Sequence, residues 1–144
     1  MYKAGFELES FETIPVMQRC ALVIAMCDAL TAINRAYLRN QSEQGHATPP
    51  LYYSGVRYGD QTLGADKWRD IPRLLLVGKG ACEDLASWRC AELHIIGERG
   101  AYIDVDTYPL PEEKIVYHVV VVRATGLRED PSALLGMATP TQHM

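Results

Sequence analysis

Three residues whose types could cooperate in nucleophilic chemistry occur along the chain in the order Cys82, His118 and Asp130. Cys82 follows Gly-Lys-Gly at 78–80, and we predict that it opens a helix running to about Ile96. The positive end of the helix dipole and the unpaired N–H groups of a first turn favour a thiolate. A thiolate attacks carbonyl carbons, a histidine relays the proton and a carboxylate orients the imidazole. The sequence therefore predicts Cys82 as nucleophile, His118 as base and Asp130 as orienting group.

Each of these residues also has an ordinary structural explanation. Free cysteine is often buried, a histidine in a valine-rich strand is often a core residue, and an aspartate before proline often begins a turn. It is their order and context that favour a site. Glu83 and Asp84 follow the cysteine at once and are expected to raise the thiol pKa. The backbone N–H groups of Ala81 and Cys82 are candidates for receiving an oxyanion.

A metal site is the chemical alternative. Cys90 and His94 are spaced i, i+4 and could share a metal on one helix face. No Cys-x-x-Cys pair or second histidine completes a ligand set, so we expect neither a metal nor a cofactor. We predict that Cys20, Cys27 and Cys90 are core residues. Cysteines seven or eight residues apart on one helix cannot be bridged, so reduced thiols are expected.

The bulk properties describe an ordinary globular chain. Its 144 residues suit a single domain over 1–144, and 48% are hydrophobic, 22% are charged and the formal net charge is −4. No basic cluster stands out in the sequence, so we expect no nucleic-acid partner. The apolar run 21–27 is shorter than the roughly 20 residues of a membrane span. The acidic residues Glu7, Glu9 and Glu12 do not resemble a signal peptide, so cytoplasmic synthesis is expected.

The periodicity predicts a helix over about 15–40, with Thr13 as N-cap and Pro15 in the first turn, crossing the domain interior. Residues 51–58 look extended, and their tyrosines, with Trp68, either line a groove or fill the core. His46 is expected in a solvated loop. An edge strand is predicted over 2–9, and a short helix over 72–77 is predicted to be capped by Asp70. Two strands are predicted over 101–106 and 114–123, with a proline-rich turn over 108–111 between them. The chain is then predicted to form a hairpin turn over 124–126, a last turn over 132–137 and a frayed tail over 138–144. Helices followed by antiparallel strands predict an α+β domain with the Cys82 helix packed on a small sheet.

Around Cys82, His118 and Asp130 the chain resembles the transglutaminase-like superfamily of cysteine enzymes, which have a papain-like core. The matching motifs are Gly-Ala-Cys at 80–82, His-Val-Val-Val at 118–121 and Asp-Pro-Ser at 130–132. More narrowly, the chain is similar to small transglutaminase-like proteins of tailed phages and prophages. The strings that carry this likeness are at 53–58, 68–72, 82–86, 129–132 and 135–137. The resemblance covers a catalytic-type core of about 52–137, and the chain departs from the family's usual residues at Ala81 and Val120.

The resemblance implies a papain-like fold and a Cys82–His118–Asp130 triad acting on peptide or isopeptide amides. We therefore expect a cysteine protease-like hydrolase or acyltransferase with a protein or peptide substrate. The alternative is a phage virion or assembly protein that uses the same fold to dock other virion proteins within the particle, with an inactive triad. Arg123 and Asp84 are candidate structural partners within the site.

Overall fold

The computed structural model describes residues 15–59, 68–112 and 114–138, and within these ranges the domain is α+β, as predicted. The edge strand predicted over 2–9, the Thr13 cap and the tail from 139 onward lie outside the described residues. The elements, in chain order, are α1 (Val16–Glu43), β1 (Arg57–Tyr58), α2 (Ile71–Val77), β2 (Lys79–Gly80), α3 (Cys82–Ile95), β3 (Tyr102–Leu110), β4 (Lys114–Val122), β5 (Arg128–Glu129) and α4 (Pro131–Leu134).

Helix α1 is three residues longer at its C-terminal end than predicted, and Pro15 precedes it as the N-cap residue instead of lying in its first turn. It does not cross the interior. One face packs on α3 and contains its buried residues, Cys27, Leu30, Thr31 and Asn34, and much of the rest is exposed. Among the described helices, α1 alone is long and apolar enough to span a bilayer, although the run 21–27 by itself is too short. The core helix of a soluble protein or a signal sequence meets the same criterion, so this finding assigns no membrane location.

The segment before the site is compact. Residues Leu51–Tyr53 form one 3₁₀ turn instead of an extended strand, and β1 pairs with β2 in parallel. Helix α2 begins at Ile71, one residue earlier than predicted, and Asp70 caps it as predicted, because the Asp70 side chain accepts a hydrogen bond from the Arg73 N–H at 3.2 Å. It ends at Gly78, whose φ of 86° is a left-handed conformation that glycine adopts without steric cost.

The second sheet has the order β3–β4–β5 and is antiparallel throughout. The predicted proline-rich turn is shorter than expected, because Pro109 lies within β3 and pairs with Ile115. Strand β3 is at the edge of this three-stranded sheet, where a proline without an N–H can be tolerated. The turn predicted over 124–126 is present, and it places Asp130 directly after β5.

Helix α3 lies at the centre of the domain and contributes to two hydrophobic clusters. Ala86, Cys90 and Leu93 pack with Cys27 of α1 and with the face of the sheet that carries Val119 and Val121. A second set of α3 residues, Leu85 and Trp88, packs with Leu51, Val56, Ile71, Leu74 and Leu135. Because α3 is held on both sides, the position of its first residue, Cys82, is fixed by the core.

Candidate functional site

The start of α3 is stabilised by Asp84, two residues after Cys82. Asp84 is completely buried, and its carboxylate accepts hydrogen bonds from the backbone N–H groups of Arg69 at 2.8 Å and Ala81 at 3.2 Å. Asp84 is thus a structural partner, as the sequence suggested. The oxyanion role expected for the Ala81 N–H is wrong for this arrangement, because that donor is already used.

The Cys82 thiol is half-buried and donates a hydrogen bond to the Glu83 carboxylate, with Sγ and Oε2 3.3 Å apart. Burial and the adjacent Glu83 charge raise the pKa of Cys82 well above its ordinary value, while a hydrogen bond from the backbone of Val119 acts in the opposite direction. The cysteine is therefore a neutral thiol near neutral pH, and the helix dipole does not outweigh these two effects.

His118 and Asp130 are brought together as predicted. His118 is 3% exposed, and its Nε2 lies 2.8 Å from Oδ2 of Asp130. The other Asp130 oxygen accepts the Ala133 N–H at 3.2 Å and so caps α4. Burial alone would raise the pKa of Asp130, but the hydrogen bonds from His118 and from the α4 backbone outweigh it and lower that pKa. When Nε2 of an imidazole donates its proton to a carboxylate such as Asp130, the lone pair of the neutral ring is on Nδ1.

Cys82 approaches this pair without joining it. Its thiol is at the backbone of Val119, the residue after His118. Burial raises the pKa of the Glu83 carboxyl, and the nearby imidazole of His118 partly opposes this rise. Between the described side chains of Cys82 and His118 there is no hydrogen bond, since Sγ bonds Glu83 and Nε2 bonds Asp130. The three predicted residues thus lie in one region, with the thiol held by Glu83.

Sequence reasoning missed an ionic network that holds the segment before Asp130. Glu129 accepts hydrogen bonds from Arg89 of α3 at 2.6 Å, from Arg123 at 2.9 Å and from the Tyr52 hydroxyl. Arg123 also binds Glu98 through two bonds of 2.6 and 2.7 Å. These contacts tie α3, the end of β4 and β5 together, and so they fix the backbone from which Asp130 projects.

The other candidate residues lie outside this arrangement. Both ring nitrogens of His94 are occupied, Nδ1 by Arg35 and Nε2 by the Ala101 carbonyl, each at 2.7 Å. Among the described residues no group of three or more His, Cys, Asp or Glu side chains could hold a metal ion. Trp68 and Tyr58 pack against the two core clusters, whereas Tyr53 is 86% exposed.

Comparison with known proteins adds no relative. No protein-family model, no curated protein and no solved structure matches the chain. The likeness to transglutaminase-like enzymes therefore stays a prediction from the motifs and strings named in the sequence.

Proposed function

We propose that this protein is a thiol-dependent amide hydrolase or acyltransferase of the transglutaminase-like class, using Cys82, His118 and Asp130. One observation carries the proposal: a buried imidazole bonded to a carboxylate at 2.8 Å lies next to the residue that contacts a helix-start thiol. When one ring nitrogen of a histidine is hydrogen-bonded to a carboxylate, the other ring nitrogen is basic and has a defined orientation.

In this mechanism Nδ1 of His118 removes the proton from Sγ as the sulfur attacks the carbonyl carbon of an amide. The resulting imidazolium is stabilised by Asp130, and it then donates its Nδ1 proton to the leaving amine as the C–N bond breaks. Water completes hydrolysis of the thioester, or a second amine completes acyl transfer. The raised pKa of the Cys82 thiol favours this general-base route over a resting thiolate–imidazolium pair.

The thiol must turn away from Glu83 for this to occur. A change in the Cys82 side-chain torsion breaks only one thiol–carboxylate hydrogen bond, which is a weak donor interaction. Substrate binding beside Cys82 would displace the Glu83 carboxylate, and Sγ would then be free to donate its proton to His118. The described arrangement then corresponds to a resting state.

The second candidate function is a docking module of a phage virion or assembly intermediate with an inactive triad. It is favoured by the same Sγ–Glu83 hydrogen bond, which keeps the cysteine protonated and unpaired with His118. Such a module would bury an interface well above 1,000 Å² with its partner chains.

Acylation by p-nitrophenyl acetate at pH 7 separates the two. We expect a burst of p-nitrophenolate and a stable acetyl group mapped to Cys82 by peptide mass spectrometry. His118→Ala should slow this acylation at least about tenfold, because general-base catalysis contributes roughly 10² to 10⁴ in rate. Cys20→Ser, on the half-buried cysteine of α1, is the matched control and should acylate normally. Equal rates of Cys82 acylation in the wild type and His118→Ala would refute the catalytic role.

A further inference from the structure

A polar cavity lies at the other end of α3, away from Cys82. It has a volume of about 310 Å³ and is lined by Arg35, Arg39, His94 and Arg99. Residues 82 and 94 are twelve positions apart on one helix, or about 18 Å at 1.5 Å per residue, so the two regions are separate. No basic cluster is visible in the sequence, because the residues that line the cavity come from α1, α3 and the loop after α3.

The cavity is more basic than the chain as a whole. Three guanidinium groups line it, whereas the net charge of the protein is −4. Arg35 is partly used, since it donates to Nδ1 of His94 and feels the charge of Asp28. Arg39 and Arg99 are exposed and form no ion pair or side-chain hydrogen bond with any described residue. The neighbouring acid, Glu98, is occupied by Arg123.

The repulsion among these arginines is offset by the fold. Arg39 lies one turn before the C-terminal end of α1 and His94 lies in the last turn of α3, and cationic side chains are stabilised near the C-terminal ends of helices. His94 is oriented by the Ala101 carbonyl and in turn orients Arg35, so at least one guanidinium is pre-positioned. Two further guanidinium groups then remain available for a ligand.

We propose that this cavity binds the phosphate group of a small molecule, either inorganic phosphate or a phosphate monoester. A guanidinium donates parallel N–H bonds that match the oxygens of a phosphate, and three such groups match its dianionic charge better than the single charge of a carboxylate. A volume near 310 Å³ is at the lower end of the range for small-molecule pockets. In this proposal the anion binds the guanidinium groups of Arg39 and Arg99, and Arg35 supplies the third positive charge of the cavity.

The test is isothermal titration calorimetry of the full chain at constant ionic strength, with inorganic phosphate and phenyl phosphate as probes. We expect saturable binding of at least one probe. Acetate should bind at least tenfold more weakly than that probe. Tighter binding of phenyl phosphate would identify a monoester as the ligand class, and equal or tighter binding of phosphate would identify the free anion. Arg39→Gln/Arg99→Gln should weaken binding at least tenfold.

Arg57→Gln is the matched control, because it removes the same charge from an exposed arginine outside the cavity. It should bind as the wild type does. Circular dichroism verifies that both variants are folded. The proposal is overturned if neither probe binds at millimolar concentration, if acetate binds equally well, or if the double variant and the control bind alike.

Discussion

Glu83 should control the reactivity of Cys82, and Glu83→Gln is the change that tests this. Oε2 of Glu83 lies 3.3 Å from Sγ, and the carboxylate raises the thiol pKa both by its charge and by accepting the thiol proton. Glutamine keeps the size of the side chain but removes the negative charge. The variant should therefore have a lower Cys82 pKa and a more reactive cysteine at neutral pH.

The magnitude follows from Coulomb's law. Two unit charges about 4 Å apart repel by about 4 kcal/mol at an effective dielectric constant of 20, which corresponds to about 3 pKa units. A thiolate and a carboxylate in a half-buried site move apart when both are charged, so the observed change will be smaller. We expect Glu83→Gln to lower the pKa of Cys82 by less than this Coulomb limit, so that alkylation reaches its half-maximal rate at a lower pH than in the wild type.

The assay is the rate of Cys82 alkylation by iodoacetamide between pH 6 and 11, quantified on the Cys82 peptide by mass spectrometry. Mapping the peptide excludes the three other cysteines. Glu43→Gln, on the exposed C-terminal turn of α1, is the charge-matched control and should leave the profile unchanged. An unchanged or higher pKa in Glu83→Gln would refute the electrostatic account of the site.

Three further predictions concern the groups that position the site. Asp84→Ala should reduce the free energy of unfolding in urea by about 2 to 4 kcal/mol, because two backbone N–H groups lose their acceptor. Glu129→Gln should cost about 1 to 3 kcal/mol by the same assay and should also slow acetylation of Cys82, since it loosens the segment that carries Asp130; normal acetylation would refute the positioning role. Hydrogen bonds from Arg123 lower the pKa of Glu98 to about 2, so the stabilisation by this pair is present above the ordinary carboxyl pKa of 4.5 and is lost as the pH falls towards 2. The stability difference between the wild type and Glu98→Gln should therefore disappear near pH 2, and a difference that persists there would contradict this assignment.

Local signals in the sequence were sufficient to predict the α3 start. Glycines before Cys82 and an acid after it predict a helix boundary from adjacent residues, and the helix begins there. The same holds for the Asp70 cap of α2. The local pattern predicts a turn at Pro109, but the residue lies in β3, because whether a strand tolerates proline depends on the strand's place in the sheet, which the local pattern does not contain.

Long-range contacts could not be predicted in this way. Glu129 meets Arg89 across 40 residues, and Arg35 meets His94 across 59, with no periodicity that links either pair. The hydrogen bond from the Ala81 N–H to Asp84 is predictable from the sequence, because an acid at the third helical position commonly accepts the N–H of the residue before the helix. The hydrogen bond between Cys82 and Glu83 depends on a side-chain torsion, so sequence suggested only the sign of its effect on the thiol pKa.

The His118–Asp130 pair bears on the choice between an enzyme and a docking module. Residues 119–122 of β4 are all buried valines, so an apolar residue at 118 would extend a strand that already packs well. A buried imidazole bonded to a carboxylate has to recover the cost of its desolvation, and an apolar side chain of similar size would commonly be as stable. A protein more often keeps such a pair at a catalytic site, where the imidazole transfers a proton, because catalytic sites tolerate groups that add little to stability. The Cys82–Glu83 hydrogen bond favours the docking module only while the thiol is at rest. A substrate that displaces Glu83 would break this hydrogen bond. These two features are our reasons for proposing a thiol enzyme with a protected nucleophile instead of a vestigial site.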